Sequence, residues 1–262
     1  MVNSLKKLFT NKIFLTSIGI LLFIAFWYVI YFIAGSDSSI FPSPHETFVE
    51  AFKYLGQAYT YKSIWGSFKR MLIGFGVASI AGIIIGAIVG NFTSLKYVFN
   101  PTMIALKAVP TAALVFLFLV LAGLKNAPIY IVVIIVFPMV YEATVAGYNN
   151  IDPDILMALR VDSNNNLYSN MKVKFPLSMP YITLGLITSF ALSFKIEIMA
   201  EVISGSSTYG LGRAIAVSYT TSENGMIPTF AYSLIAISVM LIVSLLSYII
   251  KKAFNINIEL KK

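Results

Sequence analysis

Long apolar runs separated by short polar clusters set the pattern of the chain. Ile13–Ala34 carries no charge, nor does Met71–Leu95. Ala108–Leu124 is a third such run, with its start predicted near Pro101. Asn126–Tyr141 is a fourth, predicted to continue through Glu142 to Gly147. Phe175–Phe194 opens a fifth that runs on to Ser204 past Lys195, Glu197 and Glu201, and Gly225–Ile250 is the sixth. A helix needs about 20 mostly apolar residues to cross a bilayer core. The pattern therefore predicts an all-α, polytopic membrane protein with about six transmembrane helices. Only Gly123–Ala127 separates the third run from the fourth, which predicts a hairpin. The first run is longer than the apolar core of a signal peptide and no small-residue cleavage site follows it, so it reads as a retained helix.

Composition supports the same class. Hydrophobic residues make up 58% of the chain and charged residues 11%, against roughly 25% charged in soluble domains. Lipid-facing surface needs no charge, so a bilayer accounts for the deficit. Cysteine is absent and His45 is the one histidine. That excludes disulfide frameworks, thiolate metal sites and cysteine nucleophiles, and leaves no basis for a histidine-rich metal site or triad. The net charge is +8. The basic residues gather at the edges of the apolar runs, which suits lipid headgroups better than nucleic acid.

Their distribution also sets an orientation. With both termini cytoplasmic, Lys6, Lys7, Lys12, Lys96, Arg160, Lys172, Lys174, Lys251, Lys252, Lys261 and Lys262 fall inside. Lys53, Lys62, Lys69, Arg70, Lys125 and Arg213 fall outside, with Lys69 and Arg70 the awkward pair. The positive-inside bias favours this arrangement. The expected layout is a cytoplasmic N-terminus at 1–12, a first span at 13–34 and an extracytoplasmic segment at 35–65. A transmembrane core then covers 66–252, with a cytoplasmic loop at 149–178, and 253–262 is a cytoplasmic C-terminus. The segment 35–65 is predicted to hold a short amphipathic helix from about His45 to Tyr59. Ala78, Gly82, Gly86 and Gly90 recur every fourth residue and share one helix face. Small residues let helix backbones approach closely in lipid. Such a ridge serves internal packing, a subunit contact or the lining of a path.

The loop after the fourth run is the most informative polar segment. Asp152 stands at an N-cap position, Pro153 at the first helical position, and Asp154 near the positive end of the helix dipole. A short helix through Ile155, Leu156, Ala158 and Leu159 is predicted. Val161–Asn166 has turn composition. A second short helix with Leu167, Tyr168 and Met171 on one side should follow, and Pro176 and Pro180 should break or kink the chain before the fifth span. Intramembrane charge is costly, so Lys107, Glu142, Lys195, Glu197 and Glu201 read either as ion pairs or as lining for a solute path.

The ordered segments resemble the permease subunits of ABC importers with type I transmembrane architecture, within them the nitrate, sulfonate, taurine and thiamine-precursor branch. The family's loop signature is EAA, three residues, G, nine residues, I-x-L-P. Met157-Ala158-Leu159 occupies the EAA position, Ser163 the glycine position and Val173-Lys174-Phe175-Pro176 the I-x-L-P position; Ala158 and Pro176 match by identity. Phe41-Pro42-Ser43-Pro44 resembles the branch's L-P-S-P, and Ser67–Phe75 its S-L-x-R-V-L-x-G-F. Asn100-Pro101 and Val109-Pro110 resemble its D-P and I-P pair. Asp152-Pro153 resembles its run into the loop helix, and Glu201, Gly210 and Gly212 resemble a glutamate and a G-L-G after it.

The resemblance implies a dimer of permeases, formed with a second copy of the chain, around a central path. It implies a dimer of ATPase subunits that bind ATP and Mg, and an extracytoplasmic substrate-binding protein. The coupling contact then falls on Asp152, Pro153, Leu156, Met157, Ala158, Leu159, Arg160, Ser163 and Pro176. The family glutamate that braces this helix is replaced by Met157, with Arg160 or Asp162 as substitutes. No cofactor is expected on the chain itself. A phosphate-binding loop needs G-x-x-x-x-G-K-[ST]; Gly205–Gly210 has the glycine spacing, but Leu211 and Gly212 follow. Energy must then come from a partner, and the chain is not itself an enzyme. The alternatives are a secondary transporter, which would need more spans or an internal repeat, a membrane enzyme, which would need clustered acid, base or metal ligands, and a non-transporting scaffold.

Overall fold

A computed structural model describes residues 12–162, 169–205, 209–221 and 225–253. Every regular element among them is helical. They are α1 (Lys12–Ile33), α2 (Pro44–Leu55), α3 (Ala58–Asn91), α4 (Thr93–Ala108), α5 (Thr111–Asn149), α6 (Pro153–Asp162), a π-helical turn (Asn170–Lys174), α7 (Phe175–Ser204), α8 (Leu211–Thr221) and α9 (Ile227–Ala253). Among the described residues, five helices are long and apolar enough to cross a membrane: α1, α3, α5, α7 with the turn before it, and α9.

The expected third and fourth crossings both fall in α5, with α4 upstream of the third. Gly123 has φ 70° and ψ 167°, so α5 is two arms. Phe118 and Tyr130 stack with ring centroids 5.8 Å apart. Twelve residues of straight helix would separate them by about 18 Å, so the chain folds back at Gly123 as the hairpin expectation requires. A left-handed φ carries no penalty for glycine. Upstream of the first arm, α4 begins at Thr93 rather than near Pro101, and Pro101 lies within it. Val109 and Pro110 interrupt the helix before Thr111, because proline lacks the N–H that would continue the ladder.

Other boundaries also move. The second span was expected from Met71, but α3 starts at Ala58 and carries Trp65, Lys69 and Arg70 within it. Its 34 residues make about 51 Å of helix, longer than the roughly 30 Å hydrocarbon core, so a charged residue in its early turns is accommodated. Pro176 and Pro180 do not break the fifth span. Pro176 sits in the first turn of α7, where a missing N–H is harmless, and Pro180 lies inside the helix. Met171 belongs to the π-helical turn that runs directly into α7. Leu167 and Tyr168, and the turn residues from Ser163 to Asn166, lie outside the described residues, as do Lys6, Lys7, Lys261 and Lys262. The helix α8 had no counterpart in the sequence reading.

The chain divides into two compact units. The first comprises residues 1–60 and 214–235. In it, Ser43 caps α2: its hydroxyl accepts from the Glu46 N–H, while the Glu46 carboxylate accepts from the Ser43 N–H at 3.2 Å and the Ser38 hydroxyl at 2.6 Å. Bonds from Ser38 and then Ser43 hold the Glu46 carboxyl below its ordinary value. A depressed carboxylate stabilises the cap above the ordinary value of 4.5 and loses that contribution as pH falls through the lowered one. Tyr54 stacks on Tyr232 at 4.6 Å, and Phe41 meets Phe230 edge-on.

The second unit comprises residues 61–213 and 236–262. Its buried centre joins Ala78, Val115, Ala127, Ile131, Val136, Val140, Ile196 and Ala200. The small-residue ridge of α3 packs internally. A Cβ on Gly82, Gly86 or Gly90 would stand 2.9, 2.7 and 2.7 Å from the Cβ atoms of Val140, Thr144 and Tyr148. Both sets advance by four residues in the same direction, so α3 and the second arm of α5 run parallel in close contact. Large side chains such as Leu21, Leu22, Phe23 and Val120 stay exposed, as lipid-facing positions do.

Gly86→Val should therefore cost about 1–3 kcal/mol through overpacking. Gly76→Ala, with nothing within 4 Å of the added carbon, should be neutral or slightly stabilising. Thermal unfolding of the two variants in detergent measures the contrast; equal melting temperatures would count against the seam.

Candidate functional site

The loop helix α6 forms where the cap chemistry predicts. The Asp152 side chain accepts from the Asp154 N–H at 2.9 Å, the Asp152 carbonyl accepts from Leu156 N–H, and Pro153 occupies the first helical position. Leu156 and Leu159 turn inward. With Gly90, Tyr148, Ile151 and Ser169 they line a cavity of about 150 Å³ beneath the helix. Lys174 donates to Asn91 at 2.7 Å on the same cavity, tying the return of the loop to the end of α3. Asp154, Ile155, Met157 and Ala158 face away and are exposed, Met157 at 56%. The helix thus has one face seated on the bundle and one face presented outward. Arg160 belongs to its last turns, and Ser163 lies outside the described residues. Sequence reasoning missed the Lys174–Asn91 bond, because nothing local links residues so far apart.

A groove of about 790 Å³ lies in the second unit. Its polar lining includes Lys107, Glu142, Tyr181, Thr188, Ser189 and Lys251; the rest is mainly apolar. Lys107 Nζ donates to both oxygens of Glu142, at 2.8 and 2.9 Å, and both side chains are about half exposed. Thr188 donates to the Leu184 and Gly185 carbonyls. The Ser189 hydroxyl is buried and has no hydrogen-bond partner among the described residues. The structure thus brings together two of the five intramembrane charged residues singled out in the sequence.

The other three are placed elsewhere and do not line this groove. Lys195 is exposed on α7, while Glu197 and Glu201 are fully buried on another side of it. Their partner is Arg70. Its Nε donates to Glu197 at 3.0 Å, and its Nη2 donates to both Glu201 and the Tyr209 carbonyl. Ser67 donates to Glu201 and accepts from the Leu211 N–H at 2.8 Å, and the Gly212 N–H donates to Glu201 at 2.9 Å. A Cβ on Gly212 would fall inside contact distance of α7, 2.8 Å from the Val202 nitrogen, so only glycine lets that N–H reach the carboxylate. Arg70 had been read as a loop residue. The signal that identifies it is Ser67 and Arg70 one turn apart on α3, facing Glu197 and Glu201 one turn apart on α7.

A family model described as "Binding-protein-dependent transport system inner membrane component" matches residues 78–258. The chain is 25% identical to the nitrate import permease protein NrtB of Synechocystis sp., over 84% of this chain and 82% of that one. It is 29% identical to the bicarbonate transport system permease protein CmpB of Synechococcus elongatus, over 80% and 78%. It is 28% identical to the putative aliphatic sulfonates transport permease protein SsuC of Bacillus subtilis, over 71% and 68%. Among solved structures, an inward-facing MetNI methionine ABC transporter chain shares the fold, with a TM-score of 0.63 and 12% identity over 74% of this chain and 95% of that one.

Arg70→Met leaves two buried carboxylates without their counter-ion and should cost about 3–5 kcal/mol. Lys69→Met, on an exposed neighbour, should stay within about 0.5 kcal/mol. Unfolding in detergent followed by tryptophan fluorescence reads both; equal losses would show that the cluster carries no special weight.

Proposed function

This chain belongs to the family of binding-protein-dependent transport system inner membrane components and is a multi-pass permease subunit of an ABC importer; on that premise we propose that α6 is its coupling helix and the Lys107–Glu142 groove its half of the solute path. The observation that carries the coupling assignment is the two-faced seating of α6. Leu156 and Leu159 rest on the bundle while Ile155, Met157 and Ala158 point outward. An exposed apolar face flanked by Asp154 needs a partner, and a separate ATPase subunit at the cytoplasmic surface supplies one. The ATP and Mg belong to that subunit. Met157 offers no hydrogen bond to brace the helix. The bond from Lys174 to Asn91 supports the loop from its other end.

Two copies of the chain complete the path, and an extracytoplasmic binding protein delivers the solute. The protein resides in a prokaryotic cell membrane with both termini cytoplasmic, as the lysines around the loop and the last helix favour. The solute is small and carries an anionic group. Relatives named for nitrate, bicarbonate and sulfonates support this class, as does Lys107 in the groove.

Ala158→Glu places a charge in the outward face of α6. ATP hydrolysis by the reconstituted complex should continue while uptake falls at least about tenfold, within the usual range of coupling energies. Unchanged uptake in proteoliposomes would remove the docking assignment; loss of the protein from the membrane would indicate misfolding instead, and Met157→Cys cross-linking to the ATPase then tests the contact directly.

A further inference from the structure

We propose that α2 is an interfacial helix whose exposed apolar stripe lies at the headgroup–acyl boundary of the bilayer and holds the first unit at a fixed depth. The inference does not depend on the groove or on what α6 meets. Three sectors run along α2. Pro44, Thr47 and Ala51 are buried against the protein. Glu46, Glu50 and Lys53 form a polar sector, with Lys53 paired to Glu50 at 2.9 Å. In the third sector Phe48, Val49 and Phe52 face outward, Phe52 with 71% of its surface open. His45 closes this stripe at the first turn and is also exposed. Residues at such spacing share one helix face. Two phenylalanines and a valine side by side in water would be unfavourable, so the stripe calls for an apolar neighbour.

Two sets of contacts fix how α2 lies and how deep. Phe41, just before the helix, meets Phe230 at 5.2 Å, and Tyr54, in its last turn, stacks on Tyr232 at 4.6 Å. Phe230 and Tyr232 differ by about 3 Å of rise along α9, whereas α2 is about 18 Å long. Both ends of α2 therefore meet α9 at nearly one level, so α2 runs across that span and along the membrane plane. Depth follows from Trp27, whose indole N–H donates to the Pro42 carbonyl at 3.1 Å. Trp27 stands about 9 Å before the end of α1 at Ile33. The 22 residues of α1 make about 33 Å, little more than the roughly 30 Å hydrocarbon core. The end of α1 thus marks the membrane boundary, and the start of α2 is tied just inside it. Trp27, Tyr28 and Tyr31 are the aromatic residues that favour that level. Phe26, Val29 and Phe32 of α1 are exposed on a helix with no buried stretch, so α2 starts beside a surface that lipid covers. An apolar stripe next to a polar sector is the pattern of a helix that sinks about 5–10 Å into the boundary.

The chain has no cysteine, so single cysteines report without background. Phe48→Cys, Phe52→Cys and Lys53→Cys are each spin-labelled in the full chain, in nanodiscs of phosphatidylethanolamine and phosphatidylglycerol. Collision with oxygen, against collision with a water-soluble nickel chelate, reads the depth of each label. Labels at positions 48 and 52 should lie about 5–10 Å inside the phosphates, and the label at position 53 in water. Equal, water-like readings at 52 and 53 would leave the stripe to a soluble partner and overturn the proposal. So would dipolar broadening at 52 that vanishes on dilution with unlabelled chain, because it assigns the stripe to a second copy. With the label kept at position 48, Phe52→Glu should move it outward toward water, whereas Phe52→Leu should leave it at depth. Identical depths in those two variants also overturn the proposal. Helicity by circular dichroism identifies any variant that fails to fold, and Val49→Cys on the same stripe then takes its place.

Discussion

In a bilayer, apolar side chains gain little from leaving lipid for one another, so close backbone approach has to hold the helices together. The contact between α3 and the second arm of α5 meets that requirement. Glycines at every fourth position admit Val140, Thr144 and Tyr148 to van der Waals range. Dispersion over a long parallel seam replaces the hydrophobic drive of a soluble core. The loop helix α6 inherits its position from this seam, since Gly90 and Tyr148 belong both to the seam and to the cavity under Leu156 and Leu159. The seating of the loop helix and the packing of the spans are one continuous contact.

Polar chemistry ties the early turns of α3 to α7 instead. Three separate stretches of the chain, Ser67 with Arg70, Glu197 with Glu201, and Gly210 to Gly212, converge on one buried knot. Each resembled part of the family pattern separately. Their meaning is a single structure: a guanidinium that neutralises carboxylates, a hydroxyl that relays between a carboxylate and a backbone N–H, and a glycine that admits the backbone. The knot leaves Glu197 and Glu201 for architecture and the more exposed Lys107 and Glu142 for the groove.

Much of this was legible in the sequence. Charge-free runs identified the spans, and Asp152-Pro153 located α6 because capping is a local property. The turn at Gly123 was legible for the same reason. What escaped was non-local. Arg70 was assigned to a loop because hydropathy penalises any arginine; its carboxylate partners lie more than a hundred positions away. The break at Val109–Pro110 was hidden within a continuous apolar run. Pro176 and Pro180 misled in the other direction, since a proline in a first helical turn costs nothing and one inside a membrane helix is tolerated when neighbours satisfy the freed carbonyl.

That break at Val109–Pro110 divides one membrane crossing into two rigid rods with a joint between them. The rod α4 is fastened to the second arm of α5 by polar contacts spaced along its length: Lys96 to Asn149, Asn100 to Tyr141, and Lys107 to Glu142. No regular helix spans the joint, so these contacts, and not the 111–122 arm, set the direction of α4. The topmost of the three fasteners is also the charged pair of the groove. The pair that lines the groove is therefore also the contact that holds α4 against the second arm of α5 beside the joint.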